Sequence, residues 1–189
     1  AHARPHGREG DLMTTTLDRL KEIRIVVLDV DGVLTDGSLV FTDKGELAKK
    51  FHVRDGLGIK LLQAAGIEVA ILTGRTSGIV AYRADELGMT KVEQGKLKKL
   101  PTLRKMLESA GLRPENCAYM GDDLPDLPCL RTVGFAATPR DGSSELDPYI
   151  HWRAPHEGGR GAVRDLAEKI LQAQGRWEEL IEKQFLSQE

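Results

Sequence analysis

Four short apolar runs recur along the chain, and they constrain its fold more than any other feature. The runs are IVVL (25–28), VAIL (69–72), CAYM (117–120) and VGFA (133–136), each bounded by Gly, Asp or Thr. Compact apolar runs without polar alternation are typical of strands that are buried on both faces. Stretches with helical spacing separate most of the runs, and this alternation predicts a parallel sheet with helices on both faces. We therefore expect an α/β fold, with a three-layer, doubly wound and mostly parallel sheet.

Three segments carry the spacing of amphipathic helices. DGLGIKLLQAAG (55–66) lies between the first two runs, and LKKLPTLRKMLESAG (97–111) lies between the second and the third. Gly111 ends this second segment, whose apolar stripe consists of Leu100, Leu103, Met106, Leu107 and Ala110. The third segment is marked by Val163, Leu166, Ile170 and Leu171.

The length of 189 residues suits one domain with a single core. We expect this domain to span residues 21–175. Residues 1–20 are expected to form a disordered extension, and residues 176–189 a terminal helix or tail.

Composition narrows the class of protein. The formal net charge is −2 with Lys and Arg dispersed along the chain, so we expect no nucleic-acid partner. Cys117 and Cys129 lack the spacing of a metal or disulfide framework, which fits a reducing cytosol. No apolar run approaches the roughly 20 residues that span a bilayer, and the N-terminus shown lacks a signal-peptide stretch. We expect a soluble cytoplasmic protein without membrane contact.

Acidic and hydroxyl side chains follow three of the predicted strands. Asp29 and Asp31 follow the first, Thr73 the second, and Asp122 and Asp123 the third. In a parallel sheet these strand ends share the edge where ligands bind. Any one of these aspartates alone is more often a turn residue or a helix N-cap. As a set, they are hard oxygen ligands of the kind that Mg²⁺ prefers.

The motifs DVDGVLTDG, LTGR, a lysine and GDDLPD, in this order over about residues 25–126, resemble the signature of the haloacid dehalogenase superfamily of phosphohydrolases. The resemblance implies that Asp29 is the nucleophile and forms an aspartyl-phosphate, and that Asp31 is the general acid and base. It also implies that Thr73 binds a phosphoryl oxygen. Mg²⁺ would be held by Asp29, the main-chain carbonyl of Asp31, and Asp122. Asp123 and Asp126 are expected to support this site from outside the ligand sphere.

The motif lysine has three candidates in EQGKLKKL, namely Lys96, Lys98 and Lys99. Related phosphatases carry the pattern QGxxxK, which Gln94, Gly95 and Lys99 match. We therefore expect Lys99 to be the catalytic lysine and the other two to lie on a solvated face.

The spacing between motifs leaves no room for a cap domain. About 40 residues separate Asp31 from Thr73, and about 26 separate Thr73 from Lys99. The first interval contains SLVFTDKGELAKKFHV, two extended runs around TDKG, which predicts a protruding β-hairpin at about residues 38–52. A protruding hairpin leaves strand edges unpaired, so we expect partner subunits to cover it.

Residues 23–174 resemble the family of 3-deoxy-D-manno-octulosonate (KDO) 8-phosphate phosphatases, through the hairpin and HVRDG, the QGxxxK lysine, GDDLPD and GGRGAVRDL. The resemblance implies a capless homotetrameric enzyme of lipopolysaccharide precursor synthesis, in which the GGxGAVR tail closes over an active site. Because the substrate carries a carboxylate and a phosphate, arginines suit its recognition. With Asp31, the expected substrate-binding residues are His52, Val53, Arg54, Asp55, Gly56, Lys60, Arg75, Arg83, Lys99 and Arg160.

Three alternatives remain open at this point. Related capless phosphatases act on the 9-phosphates of nine-carbon keto-sugar acids, of the sialic acid type. A phosphate-storing receiver domain also combines aspartates with Mg²⁺, although the acid and base role of Asp31 argues against it. A non-catalytic assembly protein would be expected to lack Asp29 or Asp31, and both are present.

Overall fold

The computed structural model describes residues 16–187, and a six-stranded parallel sheet forms its centre. The strands are β1 (Ile25–Leu28), β2 (Val40–Thr42), β3 (Gly45–Ala48), β4 (Glu68–Leu72), β5 (Lys91–Glu93), β6 (Cys117–Met120), β7 (Phe135–Thr138) and β8 (Trp152–Arg153). The order in the main sheet is β5-β4-β1-β6-β7-β8. The first, apolar strand therefore lies in the interior of the sheet and pairs in parallel with β4 and β6.

Helices cover both faces of this sheet. They are α1 (16–21), α2 (Val53–Ala64), α3 (Gly78–Glu86), α4 (Lys99–Ser109), α5 (Leu127–Leu130), α6 (Ala162–Ala173) and α7 (Trp177–Ile181). Alternate β1 residues face opposite layers. Val26 and Leu28 pack in the core formed with α2, α3 and α6, whereas Ile25 and Val27 pack in the core formed with α4 and α5. The expected three-layer α/β architecture is confirmed.

Two expected boundaries differ from the structure. The run VGFA was expected to be a strand from residue 133, but β7 begins at Phe135. Gly134 instead packs against the preceding segment, where its N–H donates to the Pro114 carbonyl and a Cβ would lie 2.3 Å from the Glu115 oxygen. Residues 1–20 were expected to be a disordered extension, but residues 16–21 are helical and Leu20 is buried. The rest of that extension lies outside the described residues.

The hairpin expected at about 38–52 consists of the antiparallel pair β2 and β3, joined by Asp43 and Lys44. It forms a separate sheet that does not join the main one. Residues 31–99, all of them described, contain only this hairpin, α2, β4, α3 and β5 besides connecting loops. The structure therefore contains no cap domain between these motifs, as expected.

The glycine-rich segment 158–161 lies against the loop that follows β1 of the same chain. The Gly159 N–H donates to the Val33 carbonyl at 2.8 Å. A Cβ on Gly158 would lie 1.8 Å from the Gly32 carbonyl oxygen, so only glycine permits this approach. Helix α6 follows immediately and is part of the core, so the segment is held at both sides.

The residues after 175 are mostly helical, in α7 and one further turn over Glu182–Leu186. None of the helices in the described part of the chain is long and apolar enough to cross a membrane.

Candidate active site

Three neighbouring strands end at the same edge of the sheet and carry the acidic residues there. Asp29 follows β1, Thr73 follows β4, and Asp122 lies two residues after β6. Because β4, β1 and β6 are adjacent, these residues lie along one edge of the sheet. One carboxylate oxygen from each of Asp29, Asp122 and Asp126 lies within 4.8 Å of the others.

Asp29 is a buried carboxylate at the centre of this edge, with 8 % of its surface exposed. Its Oδ1 accepts a hydrogen bond from the Val30 N–H at 2.7 Å, and its Oδ2 lies 2.6 Å from the Lys99 ammonium. Burial raises the pKa of Asp29 to about 6; the Asp126 carboxylate adds to the rise, and Lys99 opposes it. A pKa of about 6 leaves Asp29 mainly ionised at neutral pH, the form in which a carboxylate can act as a nucleophile.

Lys99 is the first residue of α4 and bridges two carboxylates. Its Nζ lies 2.6 Å from Asp29 and 2.7 Å from Asp126. Burial alone would lower the pKa of this amine, but Asp126 and Asp29 outweigh it and hold the pKa above its ordinary value. Lys96 instead pairs with Glu93, and Lys98 is exposed. Among the three lysines of the motif, the structure brings Lys99 to the site.

Each oxygen of the Asp126 carboxylate accepts two hydrogen bonds, so Asp126 holds its neighbours in place and has no acceptor left for another ligand. Its Oδ1 accepts from Lys99 and from the Tyr119 hydroxyl, both at 2.7 Å. Its Oδ2 accepts from the backbone N–H groups of Asp122 and Asp123, at 3.0 and 3.4 Å. Sequence reasoning missed Tyr119, for which the one signal was a hydroxyl inside the apolar run CAYM. Asp123 is exposed and caps the following turn by accepting from the Leu124 N–H.

The donor chemistry of the site fits Mg²⁺. Burial first, and then the carboxylates of Asp126, Asp29 and Asp123, raises the pKa of Asp122 to about 7. When all three carboxylates are ionised, they face one ammonium, so two negative charges are uncompensated. The Asp122 carboxylate also packs against Gly32, where a Cβ would lie 2.0 Å from Oδ2. Because Asp126 is saturated, Asp29 and Asp122 are the carboxylates that remain for a cation.

Asp31 lies beside the cluster and contacts the base of the hairpin. Its Oδ1 accepts from Lys49 Nζ at 2.5 Å, and its Oδ2 lies 3.8 Å from Arg75 Nε. Lys49 also pairs with Glu46 at 3.0 Å, and the Ser77 hydroxyl donates to Glu46. Sequence reasoning missed Lys49, because nothing in AKKF distinguishes it from its neighbour Lys50.

Three residues of the HVRDG segment make contacts within the chain, and the expected substrate contact of the segment stays a prediction. Asp55 is buried, and its carboxylate accepts from the backbone N–H groups of Gly161 at 3.2 Å and Arg164 at 2.9 Å. It therefore fixes α6 against α2. Gly56 packs on Arg83, where a Cβ would lie 2.4 Å from Nη2. His52 caps α2 by accepting from the Arg54 N–H at 3.3 Å, while Val53 and Arg54 are exposed at the start of this helix.

Two of the arginines expected to bind substrate have different neighbours in the structure. Arg75 lies at the site, beside Asp31 and 5.7 Å from the Phe41 ring of the hairpin. Arg83 pairs with Glu86 and stacks on Phe51.

Arg160 belongs to the glycine-rich segment that packs on the loop after β1, so its expected substrate contact stays a prediction, whereas Lys60 lies elsewhere than expected. Arg160 pairs with Glu157 at 3.4 Å. Lys60 lies near Gly88, after the end of α3 and towards the opposite edge of the sheet, so the expected contact for Lys60 is corrected.

The fold and this cluster define a class of protein. A buried aspartate after the first strand, a second two residues on, a lysine bridge and an acidic loop after a third strand together characterise a capless phosphohydrolase of the haloacid dehalogenase superfamily.

Comparison with known proteins narrows the class. No family model matches the chain. The chain is 41 % identical over 170 residues to 3-deoxy-D-manno-octulosonate 8-phosphate phosphatase KdsC of Escherichia coli K12, covering 90 % of each chain. The crystal structure of this phosphatase from Yersinia pestis is 40 % identical, with a TM-score of 0.85 over 87 % of this chain and 89 % of that one. The chain belongs to the family of 3-deoxy-D-manno-octulosonate 8-phosphate phosphatases.

A further relative was solved with ligands. The Moraxella catarrhalis phosphatase, in complex with magnesium, phosphate and KDO, is 36 % identical with a TM-score of 0.87. The superposition covers 93 % of this chain and 99 % of that one.

The raised pKa values of Asp29 and Asp122 predict a pH-dependent effect of Mg²⁺ on stability. Without metal, each of these two carboxyl groups binds a proton more tightly in the folded state than in the unfolded state. Protonation of the two groups therefore stabilises the fold fully below their ordinary pKa of 3.8, and this stabilisation is lost as the pH rises to about 7. Mg²⁺ binds the ionised carboxylates, so it should raise the Tm more at about pH 8 than at about pH 5.

Thermal unfolding at both pH values, with and without saturating Mg²⁺, measures this difference. The Asp122→Asn variant is the control and should lose most of the Mg²⁺ effect at the higher pH. An equal rise in Tm at both pH values would contradict the assignment.

Proposed function

We propose that the chain is a Mg²⁺-dependent phosphatase that hydrolyses 3-deoxy-D-manno-octulosonate 8-phosphate to KDO and inorganic phosphate, a step of lipopolysaccharide precursor synthesis. The observation that carries the proposal is the buried carboxylate of Asp29, at the end of β1. It pairs with the Lys99 ammonium and lies near the Asp122 carboxylate. The similarity to named KDO 8-phosphate phosphatases supports the choice of substrate.

The reaction proceeds in two displacements at phosphorus. A carboxylate oxygen of Asp29 attacks, so that an Asp29–phosphorus bond forms while the bond from phosphorus to the sugar oxygen breaks. Asp31 gives its proton to the departing sugar oxygen. In the second step Asp31 takes a proton from water, the water oxygen binds phosphorus, and the bond to Asp29 breaks. A bound Mg²⁺ would neutralise charge between the nucleophile and the phosphate.

The remaining residues hold these groups in place. Lys99 orients Asp29 and offsets the charge of the phosphoryl group, and Asp126 with Tyr119 fixes Lys99. Thr73 is buried at the adjacent strand end, from which it would donate to a phosphoryl oxygen. Lys49 and Arg75 orient Asp31, and Arg75 is the arginine placed to receive the carboxylate or phosphate of the substrate.

The hairpin supports the proposal of a homotetramer. Val40, Phe41 and Leu47 expose large fractions of their apolar side chains, and the two strands have no partner strand beyond each other within the described chain. Paired hairpins in closed symmetry would cover these groups and bring a neighbouring subunit to each site. We also propose a cytoplasmic location, which the two free buried cysteines support.

A phosphate-release screen tests the substrate. Turnover should be highest with KDO 8-phosphate, lower with a nine-carbon keto-sugar acid 9-phosphate, and should stop when Mg²⁺ is chelated and resume when it is restored. Preference for the 9-phosphate would assign the enzyme to the related activity. Stoichiometric phosphorylation without phosphate release would indicate a receiver domain, and full turnover in metal-free buffer would contradict the Mg²⁺ requirement.

The Asp29→Asn variant tests the covalent route. Removing the nucleophile should lower kcat by at least about a thousand-fold, equivalent to about 4 kcal/mol of transition-state stabilisation. The matched control is Asp85→Asn, at an exposed position of α3, which should retain full turnover. Near-normal activity in Asp29→Asn, or aspartyl-phosphate trapped at another residue, would refute the assignment.

Charged substitutions in the hairpin test the assembly. The double variant Val40→Asp and Leu47→Asp places charge at two exposed apolar positions and should shift sedimentation from tetramer to smaller species. Turnover of the sugar phosphate should fall more than turnover of a small phosphate ester. Lys44→Asp, in the exposed turn, is the control and should leave the tetramer intact. A fully active and equally selective wild-type monomer would overturn this proposal.

A further inference from the structure

Arg153, in the edge strand β8, binds five acceptors in and after the loop that follows β7. We call residues 139–143 the 139–143 loop. The Arg153 guanidinium donates to the carbonyl oxygens of Pro139 (3.0 Å), Arg140 (3.1 Å), Gly142 (2.8 Å) and Ser143 (3.2 Å), and to the carboxylate of Asp147 (2.6 Å). Nη1 donates to the first three carbonyls, so its two N–H groups are shared among them, and Nη2 donates to Ser143 and Asp147; the planar guanidinium holds both nitrogens at fixed positions. The loop thus depends on one side chain for most of its carbonyl hydrogen bonds.

The 139–143 loop contacts the main chain of Asp122 directly. The Ser143 N–H donates to the Asp122 carbonyl at 2.8 Å, while the Asp122 N–H donates to Asp126 at 3.0 Å. Gly142 packs into the same corner, where a Cβ would lie 2.1 Å from Thr138 Oγ1 and 3.3 Å from the Asp122 carbonyl oxygen. The peptide groups on both sides of the Asp122 side chain are therefore held by fixed partners.

The 139–143 loop is also connected, through the glycine-rich segment, to the residue that packs against the Asp122 carboxylate. Asp141 accepts from the Gly158 N–H at 2.9 Å, which fixes the glycine-rich segment. Gly158 packs closely on the Gly32 carbonyl, and Gly32 packs closely on the Asp122 carboxylate. Both the backbone and the side chain of Asp122 are thus connected to the 139–143 loop.

We propose that Arg153 is a positioning residue for the metal site, which acts through the 139–143 loop and the Ser143 N–H to set the direction of the Asp122 carboxylate. The inference rests on the proposed Mg²⁺ dependence. Arg153 lies outside the acidic cluster and touches neither substrate nor reacting atoms. Groups that orient metal ligands from outside typically change metal affinity by about 10- to 100-fold when they are removed.

Calorimetric titration of the full chain with Mg²⁺ alone, without substrate, tests the proposal. Arg153→Ala should weaken Mg²⁺ binding about ten-fold, while kcat at saturating Mg²⁺ changes far less. Arg153→Lys keeps the charge but lacks the planar fork, so most of the loss should persist. Asp147→Ala removes only the exposed carboxylate partner and should bind Mg²⁺ as the wild type does.

A second pair of variants tests the connection without altering Arg153. Ser143→Pro removes the N–H that Asp122 accepts, at a φ of −51° that proline can adopt. Ser143→Ala keeps this N–H and loses only the hydroxyl. Ser143→Pro should reproduce the loss of Mg²⁺ affinity, and Ser143→Ala should not. If Arg153→Ala does not fold, Arg153→Lys and the Ser143 pair carry the test.

The outcomes separate this inference from the function on which it rests. Wild-type affinity for Mg²⁺ in Arg153→Lys and Ser143→Pro would overturn the inference alone. A lower Tm or kcat in these variants with unchanged Mg²⁺ affinity would show a merely structural role and would also overturn it. A wild-type protein that binds no Mg²⁺ would overturn the proposed function and this inference together.

Discussion

Electrostatic repulsion at one edge of the sheet governs the structure around it. Asp29, Asp122 and Asp126 bring carboxylate oxygens within 4.8 Å of one another. At an effective dielectric constant of about 20, two unit charges at such a separation repel by roughly 3 kcal/mol. Lys99 offsets one charge and lies between two of the acids. When all three acids are ionised, the two charges that it leaves match a divalent cation, so the repulsion that adds to the effect of burial in raising the pKa values of Asp29 and Asp122 also favours metal binding.

The chain holds this cluster together by close backbone packing. A Cβ on Gly121 would lie 2.3 Å from Asp126 Cγ, and one on Gly32 would lie 2.0 Å from Asp122 Oδ2. These glycines let the carboxylates approach the main chain, where N–H groups can bind them. Asp126 shows the result, since two of its four donors are backbone N–H groups. The glycines of the two acidic motifs therefore have a steric role that complements the charge of the aspartates.

Local patterns predicted most of the fold and the centre of the site. The apolar runs at 25–28, 69–72 and 117–120 are strands, and the residues that follow them do converge. Long-range contacts were not predictable in this way. Asp55 begins the predicted helical segment 55–66, but its partners Gly161 and Arg164 lie more than 100 residues away along the chain. Lys49 and Arg153 likewise gain their roles from carbonyls and carboxylates that only the folded chain brings near.

The hairpin connects the catalytic chemistry to the assembly. Two of its residues contact the site of its own chain, Lys49 at its base with Asp31 and Phe41 in β2 with Arg75. Its outer surface exposes apolar side chains that water solvates poorly, such as Leu47 with 60 % of its surface exposed. A contact that covers the outer surface would also restrict the base, because only a few residues separate the two. Subunit association would thereby order Asp31 and Arg75, which gives a capless enzyme a means of enclosing its substrate without an additional domain.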